Sequence, residues 1–435
     1  MNKIVASIGL AAIGASGLQA VYAEDLSAPA SKIWNVSASL RGFYDDNINT
    51  TDSGKVSAYG TEVSPGLGVN WEGEATTISA NYAYTFKYYD HKPAGNTDKY
   101  DQVHTFTAML QHTFSPRYHL AINDSFVIGQ EPDALRVPEG GTMATAQRIS
   151  GDNIRNYGSV VFDALLTPVL SLQSTYKNTF YDYHATYNNT LNPPGSPVTP
   201  SNAGLLNRDE NLIGTEGHWL LQPTTTGLVG YKYGQVLYSG DEPISGINGL
   251  PGNLMSDERN SRSHYAYLGV MHTFRPELEA ALRAGVQIIT FYNDPSDETD
   301  YSPYIVATVK YTYAPESHAD FGFSQSRSAS DVASQVSNNN FTRDSDVSLV
   351  YGSITHRIAP RLFGSLIGTF QNLIYNGGSV DGDTQQFYQI GVNMQYRFNS
   401  YLSAEVGYNY DKSNSDISGQ SYDRNRVYIG IAATY

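Results

Sequence analysis

The chain has 435 residues, with 42 acidic against 27 basic side chains, a formal net charge of −15 and no cysteine. This acidic balance disfavours nucleic acid as a partner, and the lack of cysteine excludes a small secreted domain held by disulfides. The mean hydropathy is −0.36. That value is typical of a soluble protein. However, the mean hydropathy of a β-barrel wall is also close to zero, because apolar and polar residues alternate along its strands.

The N-terminus has the pattern of a secretory signal peptide. Lys3 precedes an apolar run over Ile4–Leu18, and Val21–Ala23 places small residues at the two positions that determine cleavage. We therefore predict a signal peptide over residues 1–23, cut after Ala23, followed by one mature domain over residues 24–435. No later stretch reaches about 18 uninterrupted apolar residues, so the sequence predicts no transmembrane helix.

A short repeat marks hairpin turns along the chain. In six places an apolar residue stands two positions before a proline, which fixes φ and cannot donate to a β-ladder. The prolines are Pro116, Pro168, Pro223, Pro276, Pro315 and Pro360. Phe398–Leu402 has serine and Trp71–Ala75 has glycine in the same place. The sequence thus predicts eight short turns.

Runs of alternating apolar and polar residues flank these turns. From Ile78 to Tyr88 and from Leu278 to Ile288, for example, charges fall on one phase only, as in strands with one apolar face. Eight turns join sixteen strands, and segments near Trp34–Phe43 and Val427–Tyr435 add one at each end. We predict eighteen strands. Sixteen stays open because residues 212–221 and 319–325 alternate weakly.

The remaining connections are long and rich in Asp, Asn, Gly, Ser and Pro, as surface loops are. The sequence therefore predicts an all-β fold: a single transmembrane antiparallel up-and-down β-barrel with short periplasmic turns and long extracellular loops. Such a barrel belongs in the outer membrane of a Gram-negative cell. One residue breaks the pattern, since Asp124 lies on the apolar phase of Leu120–Ile128. We expect either a bulge that shifts the register there or a partner that shields the strand.

The last strand alternates completely and ends on an aromatic residue. A strand that closes an outer-membrane barrel must complete the ladder and be read by the insertion machinery. We predict a C-terminal insertion signal formed by Val427, Ile429, Ile431, Ala433 and Tyr435.

Three features together resemble a known family. Tyr44–Ile48 follows the first strand, the aromatic-x-Pro turns recur, and Tyr422–Arg426 leads into the closing strand. These segments resemble the outer-membrane β-barrel proteins of the "putative β-barrel porin" type in Gram-negative bacteria. The resemblance extends over nearly the whole mature chain. Some members lie beside genes for exopolysaccharide synthesis and export, which implies a polysaccharide conduit as one option, although the family has no agreed substrate.

The sequence offers no catalytic constellation. The ten histidines are scattered, and neither GxSxG nor a P-loop is present. Acidic runs at Asp294–Asp300, Asp344–Asp346 and Asp381–Asp383 lack the spacing of a calcium loop. We predict no enzyme activity, no cofactor and no metal.

We therefore expect the side chains that line the interior of the barrel, its lumen, to carry the function. The inward phase carries nine cations against six anions, the latter including Asp163, Glu216 and Asp320, so the wall is mildly cationic. These charges either pair with one another or line a water-filled pore with a weak preference for anions. The predicted lumen-lining residues are Arg41, Glu62, Lys87, Arg155, Lys177, Lys232, Glu279, Arg283, Lys310, Arg397, Glu405 and Arg426.

Two functions fit these features. The first is an outer-membrane porin or channel whose aqueous lumen serves passive diffusion or export of polar solutes or polysaccharide. The second is a non-conducting barrel that acts as an envelope scaffold or sleeve for a partner protein or polymer. The expected partners are outer-membrane lipid and lipopolysaccharide, the barrel assembly machinery, and polysaccharide or small anionic solutes.

Overall fold

A computed structural model describes residues 33–435 apart from 94–97, 131–150, 189, 240, 295–297 and 338. The predicted signal peptide over residues 1–23 lies outside the described residues. Within the described part of the chain, no helix is long and apolar enough to cross a membrane.

Eighteen long antiparallel strands form one closed sheet. Each pairs with its neighbours in chain order, and the first strand pairs with the last to close the barrel. The barrel strands are β1 (Trp34–Asp45), β2 (Ala58–Glu72), β3 (Thr76–Tyr89), β4 (Tyr100–Ser115), β5 (Tyr118–Gly129), β6 (Asn153–Thr167), β7 (Leu170–Tyr183), β8 (Arg208–Gln222), β9 (Thr225–Tyr238), β12 (Ser261–Arg275), β13 (Leu278–Phe291), β14 (Thr299–Ala314), β15 (Ser317–Ala329), β18 (Asp344–Ala359), β19 (Leu362–Asn376), β20 (Thr384–Arg397), β21 (Leu402–Ser415) and β22 (Tyr422–Thr434).

Smaller elements lie in the long loops. They are the helix α1 (Asn202–Leu206), the strand pairs β10 (Pro243–Ser245) with β11 (Leu254–Met255) and β16 (Gln335–Ser337) with β17 (Asn340–Phe341), and 3₁₀ turns at Ser256–Arg259 and Gly378–Val380.

The predicted fold class and the count of eighteen strands are confirmed. All eight predicted turns join consecutive barrel strands. The weakly alternating residues 212–221 and 319–325 lie in β8 and β15, so the sixteen-strand alternative is wrong. Both strands pair with a neighbour on each side, and this pairing compensates for their weak hydrophobic pattern.

Successive side chains point alternately outward and inward, which gives the barrel an apolar outer wall. On β13 the outward Leu282 is 47% exposed, whereas its neighbour Arg283 bonds to a carboxylate inside. On β22 the outward Val427, Ile429 and Ile431 are exposed, and the inward Tyr428 is buried. The phase predicted for these strands therefore agrees with the structure.

Three long loops pack together at one end of the barrel. We call the described parts of residues 184–207, 239–260 and 330–343 the loop cap. Ile244, Leu254 and Phe341 form a buried cluster within it, and Leu205 packs against them. The amide N–H of Leu254 also donates to Gln335 Oε1 at 3.2 Å, which ties two of the loops together. The loop cap is thus a packed body with its own apolar core.

Asp124 stays on the outward phase. Strand β5 pairs with β6 in an unbroken register from Tyr118 to Gly129, which places Asp124 opposite Gly158. The expectation of a bulge at this position is therefore wrong.

Candidate functional site: the barrel lumen

The strands beside the closing seam carry a cluster of opposite charges. Arg41 Nη1 donates to Glu62 Oε1 at 2.9 Å, and Arg41 Nε donates to Glu405. Lys87 Nζ lies 3.5 Å from Glu62 Oε2. Arg41 and Glu405 lie on opposite sides of β22 and meet over Gly430, where a Cβ would come within 2.6 Å of Arg41 Cγ. Glycine at this position thus lets an arginine and a glutamate pair across an intervening strand.

Two further arginines, Arg424 and Arg426, extend this cluster toward the loops. Arg426 Nη2 lies 2.5 Å from Asp411 Oδ2, and Arg424 Nε donates to Asp45 Oδ2 at 2.8 Å. Arg424, Arg426 and Asp45 line one small cavity, which Arg41 and Lys87 also line. The structure thus brings the predicted Arg41, Lys87 and Arg426 to one place, together with the carboxylates that neutralise them.

A third group of charges centres on Glu216 of β8. Arg283 donates to Glu216 through Nε at 2.7 Å and Nη2 at 2.9 Å, and His218 Nε2 lies 2.7 Å from the same carboxylate. Lys232 Nζ donates to Tyr304 Oη at 2.9 Å. The lysine also lies 5.4 Å from the centres of the Tyr267 and Tyr304 rings, a cation–π distance.

Glycines make room for these large side chains. Along one row of directly opposed residues, Glu216, Tyr267 and Tyr304 are separated by Gly230 and Gly285. A Cβ on Gly230 would lie 2.1 Å from the Tyr267 ring. The alternation of glycine with a large residue packs the inner wall here without forcing the strands apart.

A larger cavity of about 240 Å³ lies inside the barrel beneath the loop cap. Lys177 and Gln287 line it from the strands, and Arg259 lines it from the loop cap. Arg259 donates to the carbonyl oxygens of Gly204, Leu205 and Ser330 at 3.0–3.2 Å. This one side chain therefore joins all three loops of the loop cap above the cavity.

The environment of Arg259 is unusual for a charged group. Its guanidinium carbon lies 4.0 Å from the centre of the Tyr238 ring, and the residue is 1% exposed. Burial lowers the pKa of the Arg259 guanidinium, but arginine remains protonated in proteins. The loop cap thus keeps a buried cation at the top of the lumen.

The remaining predicted lumen residues are dispersed along the inner wall. Arg155 is buried on β6, and Arg397 lies 4.1 Å over the Phe363 ring near the short turns. Glu279 and Lys310 lie opposite each other on β13 and β14, and both are exposed. The predicted residues thus share the inner face but do not form one site.

Several charged residues near the loops were not among the predicted lumen-lining residues. Asp344 accepts from Arg327 Nε and Nη2 at 2.7 Å, and Arg343 Nε lies 2.5 Å from Asp294 Oδ2. Arginines thus occupy carboxylates in two of the three acidic runs. Over the described residues, no group of three or more His, Asp or Glu side chains could hold a metal. The acidic runs pointed to charged loop ends, but not to their arginine partners.

A closed barrel of eighteen antiparallel strands, apolar outside and polar inside, is a porin-like outer-membrane β-barrel. A family model described as "Putative beta-barrel porin 2" matches residues 344–435, about a fifth of the chain. The matched part runs from β18 through the closing strand β22. The resemblance predicted from sequence motifs is confirmed over this part of the chain.

Solved outer-membrane proteins have a similar arrangement at low identity. OpdK of Pseudomonas aeruginosa, solved with vanillate, is 13% identical, with a TM-score of 0.44 over 92% of this chain and 99% of that one. OccAB4 of Acinetobacter baumannii is 12% identical, with a TM-score of 0.43 over 93% and 99%. OccK2 (OpdF) of P. aeruginosa, in complex with glucuronate, is 9% identical, with a TM-score of 0.44 over 92% and 98%. Similarities this low identify no solute. No curated protein sequence matches the chain.

Proposed function

We propose that the protein is an outer-membrane channel for small polar solutes and that the loop cap controls entry from outside. The observation that carries this proposal is the internal cavity of about 240 Å³, which has charged and amide side chains on its walls and Arg259 of the loop cap above it. Small pores select by diameter and by the groups that line them. A passage of this kind fits small solutes. Export of polysaccharide through the same lumen would require the loop cap to move aside.

Ion pairs inside the lumen bear on the proposed selectivity. Arg41 and Lys87 face Glu62, and Arg283 faces Glu216, so much of the positive charge counted from the sequence is locally compensated. Salt also screens charge over about 10 Å at 0.1 M. We therefore expect a preference for anions that is weak and declines further with salt.

The alternative function is a non-conducting barrel that serves as a scaffold or sleeve for a partner protein or polymer. The packing of the loop cap favours it, because Leu206, Leu254 and Phe341 are fully buried and hold the loops over the lumen. In a channel, these contacts narrow the entrance. If the loop cap never opens, the same contacts close the barrel completely.

Single-channel conductance in planar bilayers separates the two functions. The wild-type protein is expected to give a small conductance. Arg259→Ala removes the hydrogen bonds that join its own loop to the two other loops of the loop cap, and it should raise the conductance severalfold. Arg262→Ala is the matched control, because Arg262 is exposed and stacks on Tyr292 with its guanidinium carbon 4.3 Å from the ring centre. If neither the wild type nor Arg259→Ala conducts, the channel is refuted in favour of the sleeve.

We also propose that the chain reaches the outer membrane through a signal peptide cleaved after Ala23 and through the barrel assembly machinery. N-terminal sequencing of protein purified from outer membranes should then begin at Glu24. A sequence that begins at Met1, or at any other residue, would refute this cleavage site.

A further inference from the structure

One junction in the barrel wall is left open at the loop end. The ladder between β14 and β15 ends where Ile305 lies opposite Gln325. Both strands continue toward the loops, β14 to Thr299 and β15 to Ala329. At every other junction of the described barrel, at least one of the two strands is paired to within one residue of its end at the loops. The sheet is therefore split between β14 and β15.

Both edges of this split remain strands because each pairs on its other side. Thr299–Tyr304 pair with β13, and Ser326–Ala329 pair with β18. We call these two segments together the wall split. Proline has no N–H to donate, so within a sheet it is confined to edge strands and bulges. Since β14 stays paired with β13 on both sides of Pro303, the edge that this proline creates lies on the β15 side.

The side chains on the two edges point in opposite directions. Asp300 and Ser302 share the inward phase of β14 with the buried Tyr304. Arg327 shares the outward phase of β15 with the exposed Phe321. In a flat, continuous sheet, an inward side chain of one strand does not meet an outward side chain of the next.

These side chains nevertheless contact one another. Arg327 Nη1 lies 2.7 Å from Asp300 Oδ2. Ser302 Oγ donates to Asp346 Oδ1 at 2.9 Å, and Asp346 lies opposite Arg327 on β18, on the same outward phase. Inward side chains of β14 thus meet outward side chains of β15 and β18. The end of β14 therefore lies outside the ends of β15 and β18, and the wall overlaps itself here.

A glutamine spans the wall split from the inside. The Arg327 backbone N–H donates to Gln287 Oε1 at 2.8 Å, and Gln287 Nε2 donates to the Arg327 carbonyl oxygen at 3.4 Å. Gln287 belongs to β13, which in a continuous sheet would lie about 10 Å from β15, twice the strand spacing. The glutamine thus replaces the main-chain partner that β14 does not supply. The large cavity extends to this point, because Gln287, Ser326 and Arg327 line it.

The wall split lies above the apolar band of the outer wall. Ile305, where the ladder ends, is nine positions from Ala314 at the short turn. With a rise of about 3.3 Å per residue and a tilt of about 40°, it lies about 23 Å above the turn, near the top of an apolar band about 25 Å tall. The outward residues of β15 change there from Phe321 and Phe323 to Gln325. The wall split therefore faces the headgroup layer, where water can hydrate unpaired backbone groups.

We infer that the wall split is a side entrance through which small polar solutes pass between the headgroup layer and the cavity. This inference rests on the proposed channel function. Outward movement of the end of β14 breaks side-chain contacts and leaves its ladder with β13 intact, whereas separation at any other junction of the described barrel breaks a backbone ladder. The solute then reaches the cavity beside the loop cap, whose loops stay packed.

Reversible cross-linking tests the side entrance in planar bilayers. The chain has no cysteine of its own, so Ser302→Cys combined with Asp346→Cys places two thiols where the parent side chains are hydrogen-bonded across the overlap. A short bis-methanethiosulfonate reagent that bridges them holds the wall split closed. The single-channel conductance should then fall at least threefold and return when a reductant cleaves the bridge.

A cysteine pair at a paired junction is the matched control. Ser348 and Asn372 lie opposite each other on β18 and β19, whose ladder extends to the loop end. Bridging Ser348→Cys to Asn372→Cys should leave the conductance unchanged, because the backbone already holds these strands together.

A second variant loosens the wall split. Asp300→Asn combined with Ser302→Ala removes the charge and the hydroxyl that β14 presents to Arg327 and Asp346. Arg327 keeps Asp344 as a partner. The conductance should rise at least twofold, while circular dichroism remains that of the folded barrel.

The outcomes separate the side entrance from the channel itself. If bridging across the wall split leaves the conductance unchanged, the side entrance is overturned and the channel stands. If the wild type never conducts, the side entrance is also overturned, and Arg259→Ala then decides on the channel. If the cysteine pair does not fold or does not bridge, the loosening variant decides alone, and an unchanged conductance in that variant overturns the inference.

Discussion

The charges beside the closing seam, Arg41, Glu62, Lys87 and Glu405, allow one prediction to be worked out in magnitude. Arg41→Met keeps much of the side-chain length but removes the charge that faces Glu62 and Glu405. The Arg41, Glu62 and Glu405 side chains are 13%, 3% and 8% exposed, so the carboxylates are left in a poorly hydrated place. Breaking a buried pair in this way costs about 3–5 kcal/mol. Lys87 still lies 3.5 Å from Glu62, so we expect a loss of about 2–4 kcal/mol, mostly at Glu405.

The measurement is guanidinium unfolding in detergent micelles, followed by tryptophan fluorescence and compared at matched detergent. Adding Glu405→Gln to Arg41→Met should restore part of the loss, because no carboxylate then remains without its partner. Lys310→Met is the control, since Lys310 is exposed on the inner wall, and it should cost under about 1 kcal/mol. A change below about 0.5 kcal/mol for Arg41→Met, the size of an ordinary surface substitution, would refute the claim that this pair is desolvated.

Three further predictions concern the closing strand, the register and the loops. Deletion of Val427–Tyr435 removes the strand that pairs with β1 and should leave protein degraded in the periplasm on immunoblots; normal outer-membrane levels would contradict the proposed insertion signal. A cysteine at Arg283 should react with a small membrane-impermeant thiol reagent and one at Leu282 should resist it; the reverse would mean that the strand phase is slipped by one. The backbone N–H and hydroxyl of Thr384 donate to Asp416, which lowers the pKa of that carboxyl below 3.8. The contact should therefore persist at pH 5 and be lost as the pH falls below 3.8, read as a fall in amide-exchange protection at Thr384 that Asp416→Asn does not show.

Much of the barrel follows from local patterns. Each proline marks a short turn that joins two antiparallel strands at the same end of the barrel. Strict alternation on strands such as β13 and β20 shows which face of the strand is directed toward lipid. Because the side-chain period of a strand is two, a single exposed apolar residue such as Leu282 determines the direction of its neighbour Arg283. Even the weak strands β8 and β15 could be placed by counting from the turns on either side.

The lumen was predicted less completely. The inward direction of Arg41, Lys87 and Arg283 followed from alternation, but their partners did not. The contact of Arg41 with Glu405 joins residues 364 positions apart and depends on Gly430 between them, which no local pattern reveals. The arginines that face Asp294 and Asp344 also come from other strands or loops, so the acidic runs in the sequence did not reveal their partners.

Sequence alone determined the class of fold, the phase of the strongly alternating strands and the difference between short turns and long loops, because these features depend on local periodicity and turn chemistry. It predicted eighteen strands but left sixteen open, and the pairing of β8 and β15 decided between the two counts. Tertiary structure alone decided which charges neutralise one another in the lumen, that Arg259 joins three loops above the cavity, and that Asp124 remains on the outer wall. These features depend on barrel closure and loop packing, which bring together residues far apart in the chain. A one-dimensional pattern carries no information about such pairings.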